Sequence, residues 1–416
     1  MIRIGIVGCG RILNAHLQGY KQLRERGIDT FRITALCARR EEDALMFRRS
    51  GEGPPPRPPV LDPATGDPLA APHTYLSDFQ DDVEVAIFTD HRELIASGSV
   101  DAINDLTTLA LHHEVGAAAL EAGQHVLTQK PLAVSVRAAR RLVDLARTRH
   151  LTLGVFESVH QAPATRAAAW AVRAGLIGPV QAALMGSLGG LWSPDRIVAE
   201  TPWRHQKLLG GGGGSIDIGV HQMHWLRYVV GEVAAVGATA RTFEPWRYRR
   251  DEHGRVVEQV RAEVDDTYLA TVIFEQGAVG QLLWSWGLHG EPLGIPGTPA
   301  LFGSKGSIRG GELVLDGGQR QALQQQFELA LSGTEHEQFF PLRLRDPFAI
   351  QQLDWLRAIE RGGDPETSGQ EGLRDLACAY AILESSALGR QVTLDEVLDG
   401  RADAYQREID EHYGLV

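Results

Sequence analysis

Cysteine is scarce: Cys9, Cys37 and Cys378 are the only three, far apart in a chain of 416 residues. An odd, scattered set builds neither a disulfide framework nor a thiolate metal site, so no metal is expected and a reducing cytoplasm is the expected setting. Positive charge is also short, with 41 Lys and Arg against 53 Asp and Glu and a formal charge of −12. A net-acidic surface attracts neither nucleic acid nor an anionic bilayer, so no partner of either kind is expected. No apolar run is long enough to cross a membrane, and no internal repeat is visible. The opening MIRIGIVGCG already reads as a strand entering a glycine turn, so no cleavable leader is expected there. What is present is ordinary globular composition, 43% hydrophobic and 23% charged. The length exceeds what one core usually serves, so two domains are expected.

The first residues follow a recognisable order. A short apolar strand, Ile2 to Val7, meets Gly8-Cys9-Gly10; a helix is expected from Arg11 to Arg24, and a second strand over Phe31 to Arg39. Strand, glycine turn, helix and strand form the unit whose backbone amides and helix start hold a dinucleotide pyrophosphate. Gly8 permits the tight turn and Gly10 lets phosphates approach the backbone, while Leu13 stands where a third glycine is usual. After the second strand, an acid would bond the ribose of NAD. Here the chain reads Ala38-Arg39-Arg40. A small residue followed by arginines suits a 2′-phosphate, so the cofactor reads as NAD or NADP with a lean to NADP; the same arginines would also suit the start of a solvated helix. The stretch from Gly51 to Pro72 is too rich in proline for helix or central strand and reads as a surface loop inserted in the nucleotide domain. Beyond it, a strand from Val100 to Leu106, a helix from His112 to Ala122 and a strand from Gln124 to Thr128 lead into Gln129-Lys130-Pro131.

A run of five glycines, Gly210 to Gly214, opens directly into SIDIGVHQMHWLRYVVG. On a helix capped by Ser215, Asp217 and His221 share one face, and His224 and Tyr228 extend it. Ile216, Val220, Met223, Leu226 and Val230 form the neighbouring apolar stripe. Asp217 alone would serve as a first-turn carboxylate favoured by the helix dipole, and His221 alone as a satisfied core histidine. Glycines without side chains would let such a helix start lie against a cofactor and a polar substrate.

These stretches together resemble the Gfo/Idh/MocA oxidoreductases. Val100-Asp101-Ala102, Thr107, His112, Ala122-Gly123, His125-Val126 and Lys130-Pro131-Leu132-Ala133 match one motif of that family, with departures at Thr108, Leu109 and Gln129. Gly212-Gly213-Gly214, Asp217, Gly219 and His221 match a second, with His224 in place of its final acid. The similarity continues weakly in DDTYLATVIFEQGAVGQL, FGSKGSI and ESSALGRQVTL.

The resemblance implies an α/β protein with a Rossmann dinucleotide-binding domain over residues 1–150, interrupted by the insertion near 51–72. An α/β domain over 151–416 follows, built on a large open, mostly antiparallel sheet. The face of that sheet commonly packs on another subunit, so a homodimer or homotetramer is expected. The implied activity is NAD(P)-dependent hydride transfer at a secondary alcohol or ketone of a sugar, polyol or glycoside. The cofactor residues would be Gly8, Gly10, Arg11, Ile12, Ala38, Arg39, Thr107, His112, Gln129 and Lys130. The strand in LTLGVFESVHQAP would open the second domain and end at Glu157 and His160, where the family often places substrate-facing groups. Just before the glycines lie Trp192, Trp203, Arg204 and His205, side chains suited to stacking on sugar faces and bonding hydroxyls, or to a structured loop. With Lys130, Asp217 and His221 they complete the expected substrate set. No phosphate cradle besides the first turn is visible, which favours a neutral sugar.

Oxidising an alcohol requires a group that takes the hydroxyl proton. Histidine suits this near neutral pH, which points to His221; Asp217 would orient it, and Lys130 would donate to the substrate oxygen. Two other readings stay open at this point. One is a glycoside-cleaving enzyme with retained NAD and a 3-keto intermediate. The other is a cofactor-binding regulator, which would be expected to lack one of Lys130, Asp217 and His221.

Overall fold

A computed structural model of the chain describes residues 1–59, 62, 64, 66–189 and 201–416. Trp192 lies outside them, as do residues 60, 61, 63 and 65 of the insertion. The chain forms two compact units: residues 1–133, 138–161 and 340–373 make the first, and 134–137, 162–339 and 374–416 the second. This division differs from the expected cut at residue 150.

The first unit is built on six strands: β1 (Ile2–Val7), β2 (Phe31–Cys37), β3 (Ala86–Phe88), β4 (Ala102–Asp105), β5 (His125–Gln129) and β6 (Leu153–Phe156). All pairs are parallel, in the order β3-β2-β1-β4-β5-β6. Strands covered on both faces are apolar throughout, and Ile4, Ile6, Ile33, Leu36, Ile103 and Val126 are accordingly buried. β6 is the strand expected to open the second domain; it closes the parallel sheet instead. Helix α1 runs from Leu13 to Glu25, leaving Arg11 and Ile12 in the turn rather than in the helix. Helix α2 (Glu41–Arg48) follows β2. The helix after β4 begins at Leu109, a turn earlier than expected. The helix Pro347–Arg361 also belongs here. Asp346 caps it by accepting from Ala349 N at 2.8 Å, proline fills its first turn, and Gly362 ends it in the left-handed conformation. Its Phe348, Leu353 and Leu356 join the core formed by Leu13, Leu17 and Tyr20 of α1.

The second unit carries β7 (Val180–Leu188), β8 (Val233–Arg241), β11 (Thr267–Phe274), β12 (Val279–Ser285) and β13 (Leu293–Gly294). The chain continues with β14 (Ala300–Gly303), β15 (Gly306–Arg309), β16 (Glu312–Leu315), β17 (Arg320–Ala322) and β18 (Val392–Thr393). These ten form one mixed sheet in the order β17-β16-β15-β14-β7-β12-β11-β8-β18, with β13 also on β7. Only β7 and β12 pair in parallel; the rest is antiparallel. β11 and β12 form a hairpin around Gln276-Gly277, with Gly277 at φ +90°. Alternation along β11 is clean: Tyr268, Ala270, Val272 and Phe274 are buried, while Leu269 and Thr271 are exposed. A separate hairpin joins β9 (Trp246–Arg250) and β10 (Val256–Arg261).

Candidate active site

The carboxyl ends of the parallel strands gather the cofactor candidates of the first unit. Gly8 follows β1 at φ +106°, and a Cβ there would stand 2.5 Å from the Leu106 carbonyl oxygen beyond β4. Only glycine fits that position. Gly10 is different, because a Cβ there would meet nothing within 4 Å. No protein atom demands a glycine at Gly10, so the space it leaves suits a pyrophosphate approaching the backbone. Ala38 is buried at the end of β2, and Arg39 is exposed beside it.

Behind β4 and β5 stands a residue that the sequence did not single out. Asp105 is fully buried and accepts from Thr107 N at 3.0 Å, Thr107 Oγ1 at 2.7 Å and Thr128 Oγ1 at 3.2 Å. It holds the Thr107 turn in shape. His112, a cofactor candidate, also has a structural part in this turn. Its ring is buried, with Nδ1 2.8 Å from the Pro131 carbonyl oxygen and Nε2 3.1 Å from that of Thr107. Both nitrogens face backbone carbonyls, to one of which the ring N–H donates, and the ring lies between the Thr107 turn and the loop after Lys130. Gln129 lies 2.6 Å from His16 Nε2 through its amide nitrogen, and Gln352 donates to the His16 carbonyl oxygen at 3.0 Å. Burial pushes the His16 imidazole down to about 3, so it is neutral and accepts from the Gln129 amide.

Lys130 itself is partly exposed directly after β5, and its bond to Pro131 is cis. Past β6, Glu157 is buried and accepts from Val159 N at 3.1 Å. His160 is also buried, with Nε2 3.0 Å from Glu366 Oε2, an acid outside every motif read from the sequence. Gly8 to Gly10, Arg39, Thr107, Lys130 and Glu157 therefore share one edge of one sheet, where open parallel sheets bind their ligands.

In the second unit the glycine run has a structural cause that the sequence hid. A Cβ on Gly213 would stand 1.7 Å from the Asp265 carbonyl oxygen. The Asp265 carboxylate accepts from Gly213 N at 2.9 Å, Ser215 N at 2.9 Å and Ser215 Oγ at 2.8 Å, and its carbonyl accepts from Gly214 N at 3.1 Å. The cap is therefore Asp265, from 50 residues away, and not Ser215. Burial pushes the Asp265 carboxyl up, against the pull of those donors.

The helix is also not continuous. Gly214–Asp217 forms one turn, and Gly219–Val229 resumes after Ile218. Asp217 and His221 flank that break and stay partly exposed in a run that is otherwise mostly buried. Arg204 donates from Nε to Asp217 Oδ2 at 3.3 Å, and its guanidinium lies 4.5 Å from the centre of the Trp203 ring. Trp203, Arg204 and Asp217 are thus brought together.

His205 and His224 are not part of that group. His205 is fully buried, edge-on to Trp286 with ring centres 6.5 Å apart. His224 is buried with Nδ1 2.7 Å from Asp375 Oδ2, and Arg227 bonds the other oxygen of Asp375 at 2.5 Å. Tyr228 stacks on His224 with ring centres 6.2 Å apart, as their shared helix face predicts, and lies under the Arg173 guanidinium at 4.6 Å.

Residues 69–157 match the oxidoreductase family with an NAD-binding Rossmann fold, and residues 165–309 match the GFO/IDH/MocA C-terminal domain. The chain belongs to the Gfo/Idh/MocA oxidoreductase family. It is similar to levoglucosan dehydrogenase of Pseudarthrobacter phenanthrenivorans, 28% identical over 74% of this chain and 84% of that one. It is similar also to 1,5-anhydro-D-fructose reductase of Ensifer adhaerens, at 27% over 74% and 84%. Myo-inositol 2-dehydrogenase of Thermotoga maritima is 23% identical over 95% of this chain and all of its own. The fold matches a solved levoglucosan dehydrogenase in complex with NADH and L-sorbose, with a TM-score of 0.69 at 21% identity over 94% and 98% of the two chains. This family member is an NAD(P)-dependent oxidoreductase. In it, the acid expected three residues after His221 is replaced by His224, which pairs with an acid from another helix. Among the described residues no helix is long and apolar enough to cross a membrane.

Proposed function

We propose that this enzyme is a cytoplasmic, NADP-preferring dehydrogenase or reductase of a neutral sugar or polyol. The observation that carries the site is the pair Asp217 and His221, kept partly open on either side of a helix break. His221 takes the proton of the reacting hydroxyl, or returns it in reduction. Asp217, already an acceptor for Arg204, orients the histidine and a neighbouring hydroxyl. Lys130 donates to the oxygen on which negative charge develops. Arg204 and Trp203 supply a donor fork and a flat face of the kind that holds a sugar ring. Glu157 and His160, at the end of β6, are further candidates for bonding substrate hydroxyls. When bound, the nicotinamide supplies or accepts the hydride. The names of the relatives, dehydrogenases and reductases of anhydrosugars and inositol, support this substrate class. Arg39 after β2 supports NADP, and three buried free thiols suit a reducing compartment.

The decisive experiment is a panel of anhydrosugars, inositols and monosaccharides followed by nicotinamide absorbance with each cofactor. Turnover on at least one of these with NADP(H) is the expected outcome. Release of an aglycone with no net absorbance change would replace this reading with glycoside cleavage, and cofactor binding without any turnover would point to a regulator.

A homo-oligomer built on the open sheet face belongs to the same proposal. Leu269, Val279 and Phe302 lie on one face of β11, β12 and β14 and are 45%, 46% and 40% exposed. An apolar face of this kind is normally covered. Light scattering at micromolar concentration should give the mass of two or four chains; a monomer there would discard the interface.

A further inference from the structure

The proline-rich insertion has no counterpart in the motifs above, yet its first residues are fastened to the dinucleotide turn. Gly53 lies so close to α2 that a Cβ would stand 2.4 Å from Met46 N. Arg57 donates from Nη1 to the carbonyl oxygen of Cys9, the middle residue of the turn, at 3.3 Å, and from Nη2 to the Asp43 carboxylate. In return, Arg11 of the turn donates to the Pro58 carbonyl oxygen at 3.2 Å. The insertion is thus clamped at two points to residues that flank the phosphate position.

The charges there are uneven. Asp43 is the most buried of the three acids in the first turn of α2, and Arg40 also grips it, at 3.0 Å through both Nε and Nη2. One carboxylate therefore answers two guanidiniums and is not available to accept from a ribose diol. Glu42 stands 3.7 Å from Arg40. Arg39 is exposed and has no hydrogen bond or ion pair among the described residues. Ala38, at the end of β2, offers no acceptor. In this fold the end of the second strand is where the adenosine ribose is read, by an acid for a 2′-hydroxyl or by arginine for a 2′-phosphate.

We infer that Arg57, delivered by the insertion, acts with Arg39 to make this end of the site select a dinucleotide bearing a 2′-phosphate. Arg57 does this in two ways. With Arg40 it surrounds the Asp43 carboxylate with positive charge, so that the cluster is net positive, and it adds a guanidinium beside the turn. The inference rests on the reading that the chain binds a nicotinamide dinucleotide.

The test is calorimetric titration of the full chain with NADP⁺ and with NAD⁺, which reads binding rather than turnover. Wild-type protein should bind NADP⁺ more tightly. Arg57→Ala should weaken NADP⁺ about tenfold or more and NAD⁺ less than about threefold, the loss of one charge-assisted contact to phosphate. Arg57→Gln keeps a donor for the Cys9 carbonyl while removing the charge, so it should show the same change in ratio with the turn still tied. An NADP⁺/NAD⁺ ratio unchanged in both variants overturns the inference, whether the two affinities fall together or neither moves. Wild-type protein that binds neither dinucleotide would instead overturn the cofactor reading itself.

Discussion

His221→Ala is expected to lower kcat by about two to four decades, the usual worth of a positioned proton-transfer group, while the dissociation constant for NAD(P) stays unchanged. The split follows from the role proposed for His221, which moves the proton of the substrate hydroxyl and is not among the residues assigned to the dinucleotide. Lys130→Ala should cost about two to three decades in kcat/KM, because a donor aimed at developing negative charge acts most strongly in the transition state. Steady-state kinetics with the sugar identified by the panel, paired with cofactor titration, measures both. Near-normal kcat in both variants would remove these residues from the chemistry.

Gly10→Val is expected to weaken NAD(P) binding by about a hundredfold or more, through the loss of two or so charge-assisted hydrogen bonds to phosphate at roughly 1.5 kcal/mol each. The protein should still fold with a normal melting temperature, since a Cβ at Gly10 meets no protein atom. Gly8→Ala should do the reverse. A Cβ there runs into the Leu106 carbonyl oxygen at 2.5 Å, in a backbone conformation costly for any other residue, so stability falls first. The comparison is made by thermal unfolding and cofactor titration on both variants. A Gly10→Val protein that binds its cofactor normally would mean the pyrophosphate lies elsewhere.

The first turn was legible because its grammar is local. A strand, two glycines and a helix within a few residues dictate one backbone path, and the structure has it, with the helix starting at Leu13 once the turn has used Arg11 and Ile12. The helix Pro347–Arg361 carries local signals of the same kind, with an acid, a proline and a terminal glycine at its ends. Where that helix packs was not legible. Its Gln352 bonds the His16 carbonyl 336 positions away, and its apolar side chains complete the first core. β6 was assigned to the wrong domain because chain order suggested a boundary, whereas hydrogen bonding to β5 decides which sheet a strand joins.

The site divides along the same line. Sequence by itself determined the family, the dinucleotide turn, the absence of an acid after β2, and the candidates Lys130, Asp217 and His221, because each sits in a short motif whose spacing carries its meaning. Tertiary structure alone decided which of the other polar residues are open. His224 looked like a neighbour of His221 along a helix, but Asp375, 151 positions on, claims it. His205 looked like an open polar side chain, but it is fully buried and edge-on to Trp286. The glycine run looked like freedom kept for a ligand, but Gly213 is required by the backbone of Asp265. A buried polar group must find a partner, and for these residues the partner, or the neighbour that encloses them, lies far away in the chain, so only the folded molecule separates the side chains held within it from those left to meet a substrate.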